Sequence, residues 1–319
     1  MSFEPSRYLN QTILEVPKSG IRKFFDVAAT MPGAISLGVG EPDFVTPYHI
    51  RNAAINSLLD GETAYTSNWG MLSLREEIAR YMQDRYHLTY DPKKEILVTV
   101  GASEGIDLSL RVLMNPGDEV LIPSPYWVSY PEMVKMVGGT PVFVPCHHED
   151  GFIVRPEEIE KRVTDKTKAL ILNSPSNPNG CVIPRATLEK IAELAVQKQF
   201  YVISDEIYEK LIYDGCEHVS IASLGDAIKE QTVVVNGASK AYAMTGWRIG
   251  YAAGPAKIIK AMSAFQSHAA SNANSIAQYA TEAAISGEGK EVADMVRAFD
   301  ERRKLMCELV NDVPGLAAD

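Results

Sequence analysis

From about residue 95 onward, short apolar runs alternate with amphipathic segments, and this alternation restricts the fold more than any other feature. The runs at 96–100, 120–122, 142–144, 169–172, 201–204 and 232–235 are brief, aliphatic or β-branched, and bounded by turn residues. Between them lie stretches such as 187–198, where Leu188, Ile191, Ala192 and Ala195 recur at helical spacing and face one way. Strands that are apolar throughout are buried on both faces. Separated by helices, they predict an α/β architecture with a mainly parallel central sheet flanked by helices. A large unit is expected over 45–285. A last helix, with Val292, Met295, Val296, Phe299, Met306 and Leu309 on one stripe, ends before Pro314-Gly315. This linking helix (286–319) and the N-terminal segment 1–44 are expected to form a partial second domain or dimer arm.

Composition removes several classes. The 319 residues are 46% hydrophobic and 23% charged, which excludes a disordered or collagen-like chain. A net charge of −10 and a pI near 5.2 argue against nucleic acid or an acidic membrane as a partner. Cys146, Cys181, Cys216 and Cys307 form no CxxC pair, so the chain reads as cytoplasmic and free of disulfides. Glu4, Arg7, Glu15, Lys18, Arg22 and Lys23 leave no apolar block near the start, and no leader peptide is expected. The segment 261–281 lacks Asp, Glu, Lys and Arg but is too rich in Ser, Asn and Gln to cross a membrane. It is expected to be buried or to face an interface.

Three weak signals favour bland readings. Gly38-Val39-Gly40 is followed by Glu41-Pro42 rather than a helix and a third glycine, so the dinucleotide fingerprint fails. His147-His148-Glu149-Asp150 reads as a solvated loop, because adjacent side chains on an extended chain point apart, and no metal site is expected. Cys181 has no neighbouring His and reads as a packing residue.

Three islands place unusual polar groups at predicted strand ends, where ligands of α/β sheets gather. In YVISDEIY a strand delivers Asp205, and Tyr208 follows three residues on. A buried carboxylate calls for a cationic partner, although a capping Asp would also suit a strand–helix turn. In NSPSNPNG, two prolines and a glycine fix the loop and hold the Asn177 amide, unless the run is only a turn. In SKAYAMTGWRIGY, Lys240 follows a strand and could become nucleophilic if desolvated, while Arg248 offers a planar fork suited to phosphate. Taken alone, Lys240 would more often be a surface lysine.

Taken together, the islands resemble the pyridoxal-phosphate aminotransferases of fold type I, the class I/II aspartate/aromatic aminotransferase superfamily. The matching strings are AYTSNWG (64–70), VTVGASEGI (98–106), NPGDEVLIPSPYWVSYPEM (115–133), NSPSNPNG (173–180), YVISDEIYE (201–209) and SKAYAMTGWRIGY (239–251). The resemblance implies transfer of an amino group from an L-amino acid (aspartate, aromatic or other neutral) to a 2-oxo acid such as 2-oxoglutarate. The reaction would run through a Schiff base and pyridoxamine phosphate. It implies that Lys240 bonds pyridoxal 5'-phosphate and shuttles the Cα proton, and that Asp205 pairs with the ring nitrogen. Tyr208 and Asn177 would bind the ring oxygen, and Trp127 would stack on the ring. Arg248, Ser239 and the backbone N–H groups of Ala102 and Ser103 would hold the phosphate. Gly40, Trp127 and Asn177 would meet the substrate. Tyr65 would reach the phosphate of a neighbouring subunit, implying a homodimer with shared sites. A cis peptide at Asn177–Pro178 is also implied. Relatives go on to a small C-terminal domain whose arginine clamps the substrate carboxylate, and no arginine follows Arg303 here, so the chain reads as C-terminally truncated. A β-elimination lyase and an inactive cofactor-binding fragment are the competing readings.

Overall fold

The computed structural model describes residues 4–17, 27, 30, 31, 33 and 40–318. Much of the expected N-terminal segment, with Lys18, Arg22, Lys23, Gly38 and Val39, lies outside the described residues. A single seven-stranded sheet organises the rest, in the order β1-β7-β6-β5-β4-β2-β3. The strands are β1 (Ile96–Thr99), β2 (Glu119–Ser124), β3 (Thr140–Pro145), β4 (Thr167–Asn173), β5 (Tyr201–Asp205), β6 (Thr232–Gly237) and β7 (Gly250–Ala253). β2 through β6 pair in parallel, and β7 runs antiparallel between β6 and β1. The six expected strands are all present. β7 is the addition.

Period-two alternation explains why the strands read as unbroken apolar runs. Ala169 and Ile171 of β4 enter one core cluster while Leu170 and Leu172 enter another, and Ile203 and Val202 of β5 divide the same way. Helices cover both faces. The helices used below are α1 (Tyr48–Leu59), α2 (Leu72–Tyr86), α3 (Ala102–Leu113), α4 (Ser129–Met136), α5 (Arg185–Lys198), α6 (Ala256–Ala269), α7 (Ser275–Ser286) and α8 (Lys290–Asn311). α3, α4 and α6 share a cluster with Ile203, Val233 and Val235, whereas α5 packs Leu188, Ile191 and Ala195 against the opposite face.

The charge-free segment 261–281 is buried only along one side of α6 and α7, which includes Met262, Gln266, Ala277, Gln278, Ala280 and Thr281, while Phe265 and His268 are exposed. The Gln278 Oε1 accepts from the Met71 N–H at 2.7 Å, and its Nε2 donates to Thr66 Oγ1 at 3.0 Å and Ala273 O at 2.8 Å. One buried amide thus secures the 64–70 loop. The apolar stripe of α8 is covered over its first half only. Val292 and Met295 are buried and Val296 and Phe299 pack on the core, but Met306 and Leu309 are exposed. Its middle touches the segment before α1, with Phe44 edge-on to Phe299 at 5.3 Å and Arg302 paired to Asp43 at 2.7 Å.

Candidate active site

Because β1, β2, β4, β5 and β6 point the same way, their carboxyl ends share one edge of the sheet. β7 is reversed, so its start lies at that edge too, with Gly250 opposite both Thr99 and Gly237. The topology therefore gathers residues following Thr99, Ser124, Asn173, Asp205 and Gly237, plus Arg248 just before β7.

Asp205 ends β5 on the face of Ile203, toward α4. It is 5% exposed. Tyr130 donates its hydroxyl to Oδ2 at 2.7 Å, and the Ile207 N–H donates to Oδ1 at 3.2 Å. Burial pushes the carboxyl up to about 6; the two hydrogen bonds and Lys240 pull it down, and Glu206 adds to the rise. Among the described residues it forms no ion pair. Asn173, opposite Asp205 in the ladder, holds two parts of the site. Its Nδ2 donates to the Asp205 carbonyl at 2.9 Å, and its Oδ1 accepts from the Asn177 N–H at 2.7 Å. Asn177 in turn donates Nδ2 to the Tyr208 hydroxyl oxygen at 3.3 Å. The Asn177–Pro178 bond is cis, as are Ser124–Pro125 and Ser174–Pro175.

Lys240 reaches across to donate Nζ to the Gly40 carbonyl at 2.7 Å, with the Tyr208 ring 5.7 Å from the ammonium. Burial lowers its pKa, and nearby Arg248 adds to this against the opposing charges of Glu41 and Asp205. A desolvated amine gives up its proton more readily and so becomes a better nucleophile.

Beside it, Arg248 occupies the left-handed region (φ 53°) and donates Nη1 to the Thr245 carbonyl at 3.0 Å. Its guanidinium lies over Gly101, where an added Cβ would fall 2.8 Å from Nη2. Gly101 caps α3, so the guanidinium lies beside the helix N-terminus, whose first two residues are Ala102 and Ser103. Positive helix ends and guanidinium forks both suit a phosphate. Gly250 backs this cradle, because a Cβ there would sit 2.6 Å from the Ala102 nitrogen. Ser239 is buried between β6 and Lys240. Trp127 is half-buried and edge-on to Tyr130, at 5.3 Å between centroids. Tyr65 stands apart. It is 89% exposed, and no hydrogen bond or ring contact among the described residues joins it to this set.

Residues 32–318 match the family profile described as aminotransferase class I and II. The chain belongs to that family. It is 48% identical to the aspartate aminotransferase of Geobacillus stearothermophilus over 281 residues, which is 88% of this chain and 71% of that protein. It is 42% identical to an aromatic-amino-acid aminotransferase of Thermococcus litoralis over 307 residues, 96% of this chain and 79% of that protein. The solved structure of Thermus thermophilus aspartate aminotransferase with maleate superposes with a TM-score of 0.91 at 41% identity, covering 94% of this chain and 79% of that one. The fold is therefore that of the fold type I aminotransferases, and the chain is a transferase that moves amino groups. The lyase reading gives way to these relatives.

Sequence reasoning passed over three residues of this candidate site. Tyr130 lies in a quoted string, three residues after Trp127, a spacing that puts both rings on one side of a helix start. Asn173 opens the NSPSNPNG island but reads there as a turn residue. Glu41, whose Oε2 accepts from Thr245 Oγ1 at 3.0 Å, carried no signal beyond its place after Gly40.

Proposed function

We propose that this aminotransferase takes pyridoxal 5'-phosphate and moves the amino group of aspartate or an aromatic amino acid to a 2-oxo acid such as 2-oxoglutarate. The observation that carries the reading is the setting of Lys240: a desolvated amine flanked by the buried carboxylate of Asp205 and the guanidinium of Arg248. The residues fit the group. A carboxylate without an ion-pair partner suits a protonated ring nitrogen, and the Arg248–Gly101–α3 cradle suits a phosphate dianion. When bound, the cofactor supplies an electron sink for charge developing at the substrate Cα. Lys240 would bind the cofactor's carbonyl carbon and, once released, carry the proton taken from Cα. Asp205 would hold a proton on the ring nitrogen. Tyr208 and Asn177 would hydrogen-bond the ring's phenolic oxygen, favouring its ionised form. Trp127 would cover one ring face, and Arg248, Ser239 and the N–H groups of Ala102 and Ser103 would hold the phosphate. Gly40, Trp127 and Asn177 would border the substrate.

The donor classes follow the relatives' names, and a dicarboxylic amino acid agrees with the maleate held by the Thermus relative. A homodimer in which Tyr65 serves the neighbouring site belongs to the same reading, as does the division at 1–44, 45–285 and 286–319. The four cysteines form no disulfide among the described residues, which favours a reducing, cytoplasmic setting. No described helix is long and apolar enough to cross a membrane. The test is titration with pyridoxal 5'-phosphate followed by borohydride reduction, then a donor screen with 2-oxoglutarate. Wild type should retain the reduced cofactor on Lys240 and Lys240→Ala should not, with turnover of aspartate or an aromatic donor. Equal labelling of both proteins would overturn the reading.

A further inference from the structure

We propose that Tyr130 is a positioning residue for Asp205, clamping its Oδ2 so that the carboxylate keeps one orientation toward an incoming ring nitrogen. The purpose assigned here rests on the cofactor reading above; the contact itself does not. Tyr130 lies in the first turn of α4, 3% exposed, in the cluster that also holds Ile122, Val134 and Ile203. Its N–H donates to the Trp127 carbonyl at 3.1 Å, and its ring meets the indole edge-on at 83°. One side chain therefore touches both the carboxylate and the aromatic residue proposed to flank the ring.

While Asp205 is ionised, the bond has only one possible direction. Burial and the charge of Asp205 hold the Tyr130 proton well above the ordinary phenol range, so the hydroxyl donates and the carboxylate accepts. Other groups face Asp205 as well: Glu206, Ile207 and Tyr208 from the turn after β5, and Lys240 from the loop after β6. Of these, only the Ile207 N–H also bonds a carboxylate oxygen. Two donors on different oxygens fix the plane of the group, and a donor to the charged form favours that form. Without the phenol, Oδ2 would lose its partner in a site that water scarcely reaches, and the carboxylate would be free to turn and to take a proton.

The decisive variant is Tyr130→Phe, which keeps the ring and removes only the hydroxyl. In cofactor-free protein labelled with 13C at the aspartate carboxyl, the signal lost in Asp205→Asn reports Asp205. Its titration midpoint should rise by about one unit in Tyr130→Phe, a tenfold gain in proton affinity. With pyridoxal phosphate labelled with 15N in the ring, wild type at pH 8 should report a protonated nitrogen and the variant a larger neutral fraction. If Tyr130→Phe fails to fold, fluorotyrosine at position 130 preserves the shape and makes the phenol a stronger donor, which should lower the midpoint instead. An unchanged midpoint in either variant overturns the proposal and leaves Tyr130 a packing residue. Wild type that takes up no cofactor would overturn the functional reading, while the 13C titration would still decide the role of Tyr130.

Discussion

The side chain of Asp205 is held at a cost to the cofactor-free protein. Its folded pKa of about 6 stands above the usual carboxylate value of 3.8, so the native state binds a proton more tightly than the unfolded chain. Stability from this group is therefore fully present below pH 3.8 and is lost as pH rises through 6. Roughly two units at 1.36 kcal/mol each make this about 3 kcal/mol at most. Asp205→Asn is accordingly expected to stabilise the cofactor-free protein by up to about 3 kcal/mol at pH 8 and to change little near pH 4. Urea unfolding at the two pH values checks this, and equal effects at both would mean the carboxylate is not strained by burial. With cofactor bound the sign should reverse, because the cationic ring nitrogen that offsets the buried charge loses its partner.

The elements differ in how plainly the sequence announces them. β4, β5 and β6 are runs of Val, Ile and Leu buried on both faces, and such runs have few other destinations. β7 (GYAA) contains no β-branched residue, so neither period nor propensity marks it. Crowding chooses it instead: Gly250 must pass within van der Waals reach of the α3 N-terminus, where nothing larger fits. The second half of α8 shows a related limit, since a helical stripe carries no record of which partner, if any, covers it. At the site, motif residues such as Lys240 and Asp205 were legible, whereas Tyr130 and Asn173 act through contacts made only on folding. Gly250→Ala tests the crowding argument. The new methyl meets backbone at 2.6 and 2.7 Å rather than a yielding side chain. A loss of about 1–3 kcal/mol is expected, with weakened phosphate binding as α3 is pushed away from Arg248. Inorganic phosphate titration and thermal unfolding would read both effects; an undisturbed melting curve would mean that the sheet edge gives way easily.

At the scale of the whole molecule, the isolated chain leaves Tyr65 turned outward, while every other residue of the proposed cofactor site meets at one sheet edge. Gln278 anchors the 64–70 loop from α7, so the loop has a fixed base while the Tyr65 side chain is exposed. Val45, Tyr48 and Leu59, just before and along α1, are exposed as well. If two chains exchange their Tyr65 residues, function should complement between defective subunits. Lys240→Ala would be inactive alone and Tyr65→Ala impaired alone. In a mixed dimer, the site holding Lys240 would receive Tyr65 from the other chain and be whole, and its partner site would carry both defects. Mixing equal amounts after mild dissociation should therefore raise activity above that of either variant, toward one competent site per mixed dimer. If the mixture merely averages its components although mixed dimers form, Tyr65 serves its own chain and the shared-site reading fails.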